Sequence, residues 1–228
     1  MGGLGVGATV HYYQKLARAH EEQGRTLDIV ISHAETSRVF EYVEAGDRDG
    51  LAEYLLGFIC RLKAAGAEFA AIPAITPHYC MRELITASPL PLFNIFDPLV
   101  EELAARGIRR VAVFGTRYVM ESSLYGFAGD VGIILPTGEE MECIHGTYLQ
   151  LLEKGVGTEK QHRNLTAIAH TLQSRDGADA ILLAGTDLAV LFNEQNTEFP
   201  FVDCTALHLR RILNGMLGEA SLDSGQAG

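Results

Sequence analysis

Gly66-Ala67-Glu68-Phe69-Ala70-Ala71-Ile72-Pro73-Ala74-Ile75-Thr76 and Gly177-Ala178-Asp179-Ala180-Ile181-Leu182-Leu183-Ala184-Gly185-Thr186 are two versions of one stretch. Each opens on a glycine suited to ending a helix, passes through alanine and an acid, and enters an apolar run with no wet face. That is how a parallel strand covered on both sides reads. Each run then gives way to small residues, a threonine and a new helical pattern. Ligands in parallel sheets collect beyond the carboxyl ends of the strands. The duplication therefore predicts two mouths turned toward each other across one cleft.

Outward from these two stretches, short apolar runs alternate with helical periodicities. Runs at 27–32, 92–95, 110–115, 132–135 and 199–202 read as strands; 51–65, 98–106, 139–153, 158–174 and 205–217 read as helices. The alternation predicts an α/β fold of two similar halves, each a parallel sheet flanked by helices. Residues 33–38 read as a polar loop and 122–127 as part of a helix. Pro77 is expected at the start of the helix after the first mouth, where its missing N–H costs little. Residues 219–228 read as a disordered tail.

The amino end is unusual. Met1-Gly2-Gly3-Leu4-Gly5-Val6-Gly7-Ala8-Thr9 is a glycine loop feeding a helix that carries Tyr12, Tyr13 and Leu16. Such loops normally leave a strand and bring backbone amides close to a ligand. No strand precedes this one, so the first sheet is expected to lack an element or to show a gap beside 27–32.

Eighteen Lys and Arg stand against 29 Asp and Glu in 228 residues, a net charge of −11. With no basic run, nucleic acid and anionic membranes are not expected partners. No apolar run approaches the roughly 20 residues of a membrane span. The four cysteines lack paired or metal-type spacing, which points to a reduced, cytoplasmic setting and to no metal site.

The glycine loop with Ala8-Thr9 and Tyr12-Tyr13, the 70–78 segment and the 183–188 segment together resemble the aspartate/glutamate racemase superfamily. The resemblance runs over nearly the whole chain. It implies two pseudo-symmetric domains, here 1–96 with 206–218 and 97–205, and a strand before the glycine loop. It also implies a cofactor-independent amino-acid racemase-type isomerase acting on a small carboxylate or amino acid, and is compatible with a homodimer. In the family, two cysteine thiolates on opposite faces of the substrate exchange its α-proton. Here those positions are Ala74 and Gly185, which carry no ionisable group. A two-thiol mechanism is excluded.

Three catalytic candidates remain near the mouths: His78, Cys80 and Asp187. His78 has the pKa of a proton carrier, but also suits ordering the loop. Cys80 reads equally as a packed core residue, and Asp187 as a partner for a helix dipole. Thr9, Thr76, Thr116 and Thr186 stand at helix starts or strand ends, where hydroxyls and amides cradle anions. Arg38 and Arg48 are the candidate forks for a substrate carboxylate, with Arg38, just after the expected strand end, preferred; Lys154 matches a family lysine in register and also suits the dipole at a helix end. A decarboxylase-like or other lyase relative, and a non-catalytic carboxylate-binding protein, are the alternatives to a racemase.

Overall fold

The computed structural model describes residues 1–126 and 129–217, so the expected tail lies outside the described residues. Nine α-helices among them are α1 (Val6–Glu22), α2 (Thr36–Glu44), α3 (Arg48–Ala64), α4 (Met81–Ala87), α5 (Phe96–Ala105), α6 (Arg117–Glu121), α7 (Gly138–Lys154), α8 (Glu159–Asp176) and α9 (Cys204–Leu217). The strands are β1 (Ala70–Ala71), β2 (Leu92–Phe93), β3 (Arg110–Phe114), β4 (Gly132–Ile134), β5 (Ala180–Leu183) and β6 (Phe201–Asp203). Every pairing between them is parallel, in a two-stranded sheet β1-β2 and a four-stranded sheet β4-β3-β5-β6. Helices cover these sheets, as the alternation requires.

The second sheet is the larger. Val111 to Phe114 of β3 and Ala180 to Leu183 of β5 are buried on both faces, which is why neither shows an alternating pattern. Two capping boxes start the long helices against this sheet: Thr137 with Glu140 opens α7, and Thr158 with Gln161 opens α8. Each box satisfies two orphan donors and contributes about 1 kcal/mol. Gly177 ends α8 at φ 70, the left-handed conformation that favours glycine, and turns the chain into β5.

The first half is built differently. Leu51, Leu55 and Ile59 of α3 are fully buried against Ile72, Met81 and Leu84, each side chain worth roughly 1.5–3 kcal/mol. The sheet they should cover is small. Residues 27–32 do not form the expected strand; among the described residues the only ladder contact there is a parallel bridge between Gly2 and His33. A run of β-branched residues cannot hold a strand without a neighbour to supply hydrogen bonds, and 27–31 has none on either side among the described bonds. The expectation of a depleted first sheet with a gap beside 27–32 describes what is seen.

Two local readings are corrected. The polar loop 33–38 is cut short by α2, which starts at Thr36 and places Arg38 on a helix. Its apolar stripe is short and the segment carries no strong cap, so the periodicity was hidden. Residues 122–126 do not continue a helix: Leu124 and Tyr125 sit at φ 54 and 55, and break it. Residues 127–128 lie outside the described residues.

A cluster of Tyr12 and Leu16 from α1 with Leu209, Ile212, Leu213 and Leu217 from α9 brings the end of the chain back onto its beginning. Tyr12 donates its hydroxyl hydrogen to His208 Nδ1 at 3.0 Å, and His208 Nε2–H donates to Phe93 O at 3.0 Å. Burial lowers the His208 pKa to about 4, so the ring is a neutral bridge at ordinary pH. Among the described residues no helix is long and apolar enough to cross a membrane.

Candidate functional site

Both copies of the duplicated stretch end in a short 3₁₀ turn, Thr76–Cys80 after β1 and Thr186–Val190 after β5. The two turns meet. Thr186 Oγ1 donates to Pro73 O at 3.2 Å, and Thr76 Oγ1 lies 3.2 Å from Thr116 Oγ1. Thr116 also caps α6, accepting from Val119 N–H. All three of these threonines are buried, and Thr76 and Thr116 line one hollow together with Thr36.

The space they enclose is small. A hollow of about 20 Å³ remains between the halves, walled by Leu4, Val39, Phe40, Ala74, Tyr148 and Leu152 beside Thr36, Thr76 and Thr116. That is room for about one water molecule. Val39 and Phe40 come from α2, Tyr148 and Leu152 from α7, Leu4 from the loop before α1 and Ala74 from the segment after β1.

Tyr148 decides the second mouth. A Cβ added to Gly185 would lie 2.3 Å from Tyr148 Cε2 and 2.9 Å from Cδ2. The backbone there is extended, at φ −149, so any residue could adopt it. The three atoms nearest that Cβ all belong to the aromatic ring, which excludes a side chain. The phenol continues past Gly185 and donates to Asp187 Oδ2 at 3.2 Å. Asp187 Oδ1 accepts from Ala8 N–H at 3.1 Å, at the first turn of α1. A Cβ on Gly5 would stand 2.7 Å from Oδ2, so the glycine loop lets this carboxylate approach. Burial raises the Asp187 pKa, while these bonds oppose the rise. The positive end of α1 is therefore filled by the chain's own carboxylate.

His78 is fully buried beneath Ala74. Its Nδ1–H donates to Ala74 O at 2.8 Å and its Nε2 accepts from Ile95 N–H at 3.3 Å. Both nitrogens are engaged, which fixes one tautomer. Burial lowers its pKa to about 3, leaving it neutral. Cys80 donates its thiol hydrogen to Pro77 O at 3.5 Å, and burial pushes its pKa up to about 12. Neither faces the hollow as a free acid or base. Thr9 donates to Gly5 O and accepts from Gly3 N–H, folding the glycine loop onto α1.

The expected cations are elsewhere. Arg38 is exposed on α2 and paired with Glu41 at 2.9 Å; Lys154 is exposed at the last turn of α7. Tyr148, Phe40 and Leu152 are the lining residues that sequence reasoning passed over. Tyr148 lies on the buried stripe Met141, Ile144, Tyr148, Leu151, and nothing along the chain pairs it with Gly185.

Residues 1–212 match the family model for Asp/Glu/Hydantoin racemase. The chain belongs to that family. A broad specificity amino-acid racemase, RacX, of Bacillus subtilis (strain 168) is 24% identical over 166 residues, 70% of each chain. Among solved structures, a candidate Asp/Glu racemase from Yersinia pestis superposes at a TM-score of 0.75, with 25% identity over 91% of this chain and 93% of that one. The Picrophilus torridus aspartate racemase gives the same TM-score at 18% identity, covering 94% and 91%, a likeness of fold.

Proposed function

We propose that this member of the racemase family binds a small carboxylate of the amino-acid class between its halves and does not invert it with a thiol pair. One observation carries the reading: the Tyr148 ring occupies the space that any side chain at position 185 would need. With Ala74 at the other mouth, neither face of a bound ligand meets an ionisable sulfur. Threonine hydroxyls do not ionise near neutral pH without strong activation. His78 has no nitrogen free.

The ligand class rests on the names of the relatives and on the group of hydroxyls and helix starts left at the mouths. A hollow of about 20 Å³ holds no amino acid, so binding requires the halves to part. The bonds from Ala8 N–H and Tyr148 to Asp187 are the latch that opens. A second reading follows from that same pair. Tyr148 and Asp187 could carry a proton at one face of the ligand, which suits one-base decarboxylation or elimination and not inversion.

Incubation with L-aspartate, L-glutamate and neutral L-amino acids in heavy water separates these readings by NMR. Saturable binding with the α-proton retained is expected. Exchange or bond cleavage that is lost in Tyr148→Phe would establish the second reading. Appearance of the D-enantiomer would sink both.

A further inference from the structure

Among the described residues that wall the hollow between the halves, none carries a charge. Its polar part is small. The Thr36 hydroxyl is already spent on Gly3 O at 2.9 Å. Thr76 and Thr116 hold each other across the boundary at 3.2 Å, one from each half. When the halves part, that bond breaks and both hydroxyls are released to donate. Two such donors serve the oxygens of one carboxylate and leave nothing for a second.

The rest of the lining is hydrocarbon. Val39 and Phe40 stand on α2 in the first half, and Tyr148 and Leu152 on α7 in the second. Parting the halves therefore opens a slot with an apolar face on either side. The nearby cations are committed elsewhere: Arg38 to Glu41 at 2.9 Å, Arg117 to Glu142, and Arg48 to Glu83 at 3.9 Å, with its guanidinium 4.5 Å from the centre of the Tyr79 ring. The charged groups that reach the walls from behind are acids. Asp187 accepts from the Tyr148 hydroxyl, and Glu44 accepts from Tyr118, whose ring packs on Phe40. A second carboxylate on the ligand would lose its water in this slot, find no cation, and face carboxylates behind the wall. An alkyl group there gives up no hydrogen bond and gains the contact of both faces.

We propose that the site takes a ligand with one carboxylate and an uncharged, apolar side chain, a neutral aliphatic amino acid and not aspartate or glutamate. Phe40 and Leu152, one from each half, set that preference. The inference rests on the reading of the cleft as a carboxylate site and adds the character of the side chain.

Leucine and aspartate make the sharpest comparison, because both fork at Cγ, one into two methyls and the other into two oxygens. Methionine and glutamate form a second, unbranched pair. Binding of the four L-amino acids to the whole chain at neutral pH is titrated by ligand NMR and by the shift in Tm. Each apolar member is expected to bind at least about tenfold more tightly than its acidic partner, the least that an unpaired, desolvated carboxylate should cost. Phe40→Arg and Leu152→Lys each set a cation in one face of the slot, and either is expected to erase or reverse the preference; melting curves identify the variants that remain folded. Aspartate binding as tightly as leucine would overturn the inference and leave the carboxylate site standing. Saturation by none of the four would remove both. The expected preference in the parent, unchanged in both folded variants, would overturn Phe40 and Leu152 as its source.

Discussion

Acetylating the amino group of Met1 is expected to remove a loss of stability that the chain otherwise suffers between pH 8 and pH 6. The free ammonium is enclosed against Ala71 O, and burial lowers its pKa from 8.0 to about 6. His208, whose pKa burial and the nearby amino terminus lower to about 4, is neutral in this range. Above pH 8 the amine is uncharged whether folded or unfolded, and the two states bind the same number of protons. As the pH falls through 8 toward 6, the unfolded chain takes up a proton that the folded chain resists, so stability falls. Below about pH 6 the full difference is lost. Two units at 1.36 kcal/mol each amount to about 3 kcal/mol. An acetyl group removes the charge and keeps one N–H for Ala71 O. Urea unfolding of the free and acetylated chains at pH 8.5, 7 and 5.5 measures the difference, in which the other titrating groups cancel. A difference that does not change with pH would show that the amine reaches water in the folded chain and would refute the reasoning.

Three further outcomes are expected. Gly185→Ala forces a methyl group onto the Tyr148 ring and is expected to cost about 1–3 kcal/mol; in a urea double-mutant cycle Tyr148→Ala should cancel most of that, and strict additivity would argue against the clash. Asp187→Asn keeps an acceptor for Ala8 N–H while removing a carboxylate whose pKa burial raises. The parent is favoured where that group is protonated and loses stability as pH rises through the folded pKa, so the variant should be the more stable at pH 7 and the gap should close toward pH 3.8; a less stable variant at pH 7 would assign the net benefit to the α1 dipole. His78→Ala breaks two buried hydrogen bonds and opens a cavity, with an expected cost of about 2–4 kcal/mol. The wild type, whose His78 pKa falls from 6.5 to about 3, should lose stability as pH drops below 6.5, and the variant should lose less over that range; parallel acid titrations would contradict the assignment.

Local signals sufficed where the physics is local. Parallel β5, buried on both faces, is legible as an unbroken apolar run, and the capped helices α7 and α8 follow from periodicity and Thr-led starts. The absence of thiols at Ala74 and Gly185 is a fact of the chain itself. Residues 27–32 have strand composition but no strand, because pairing is a property of neighbours. What closes the hollow was invisible in one dimension. Tyr148 and Gly185 lie far apart along the chain, and whether position 185 has room depends on a ring delivered by another element. His78 has the intrinsic pKa of a base, yet burial and two backbone partners leave it neutral and engaged. Composition and periodicity decide which segments become helices and which are fit for a sheet, since those rest on each residue's own surface and backbone. Solvation, free volume and hydrogen-bond partners are set by what distant segments bring together, and these determine what the cleft can hold.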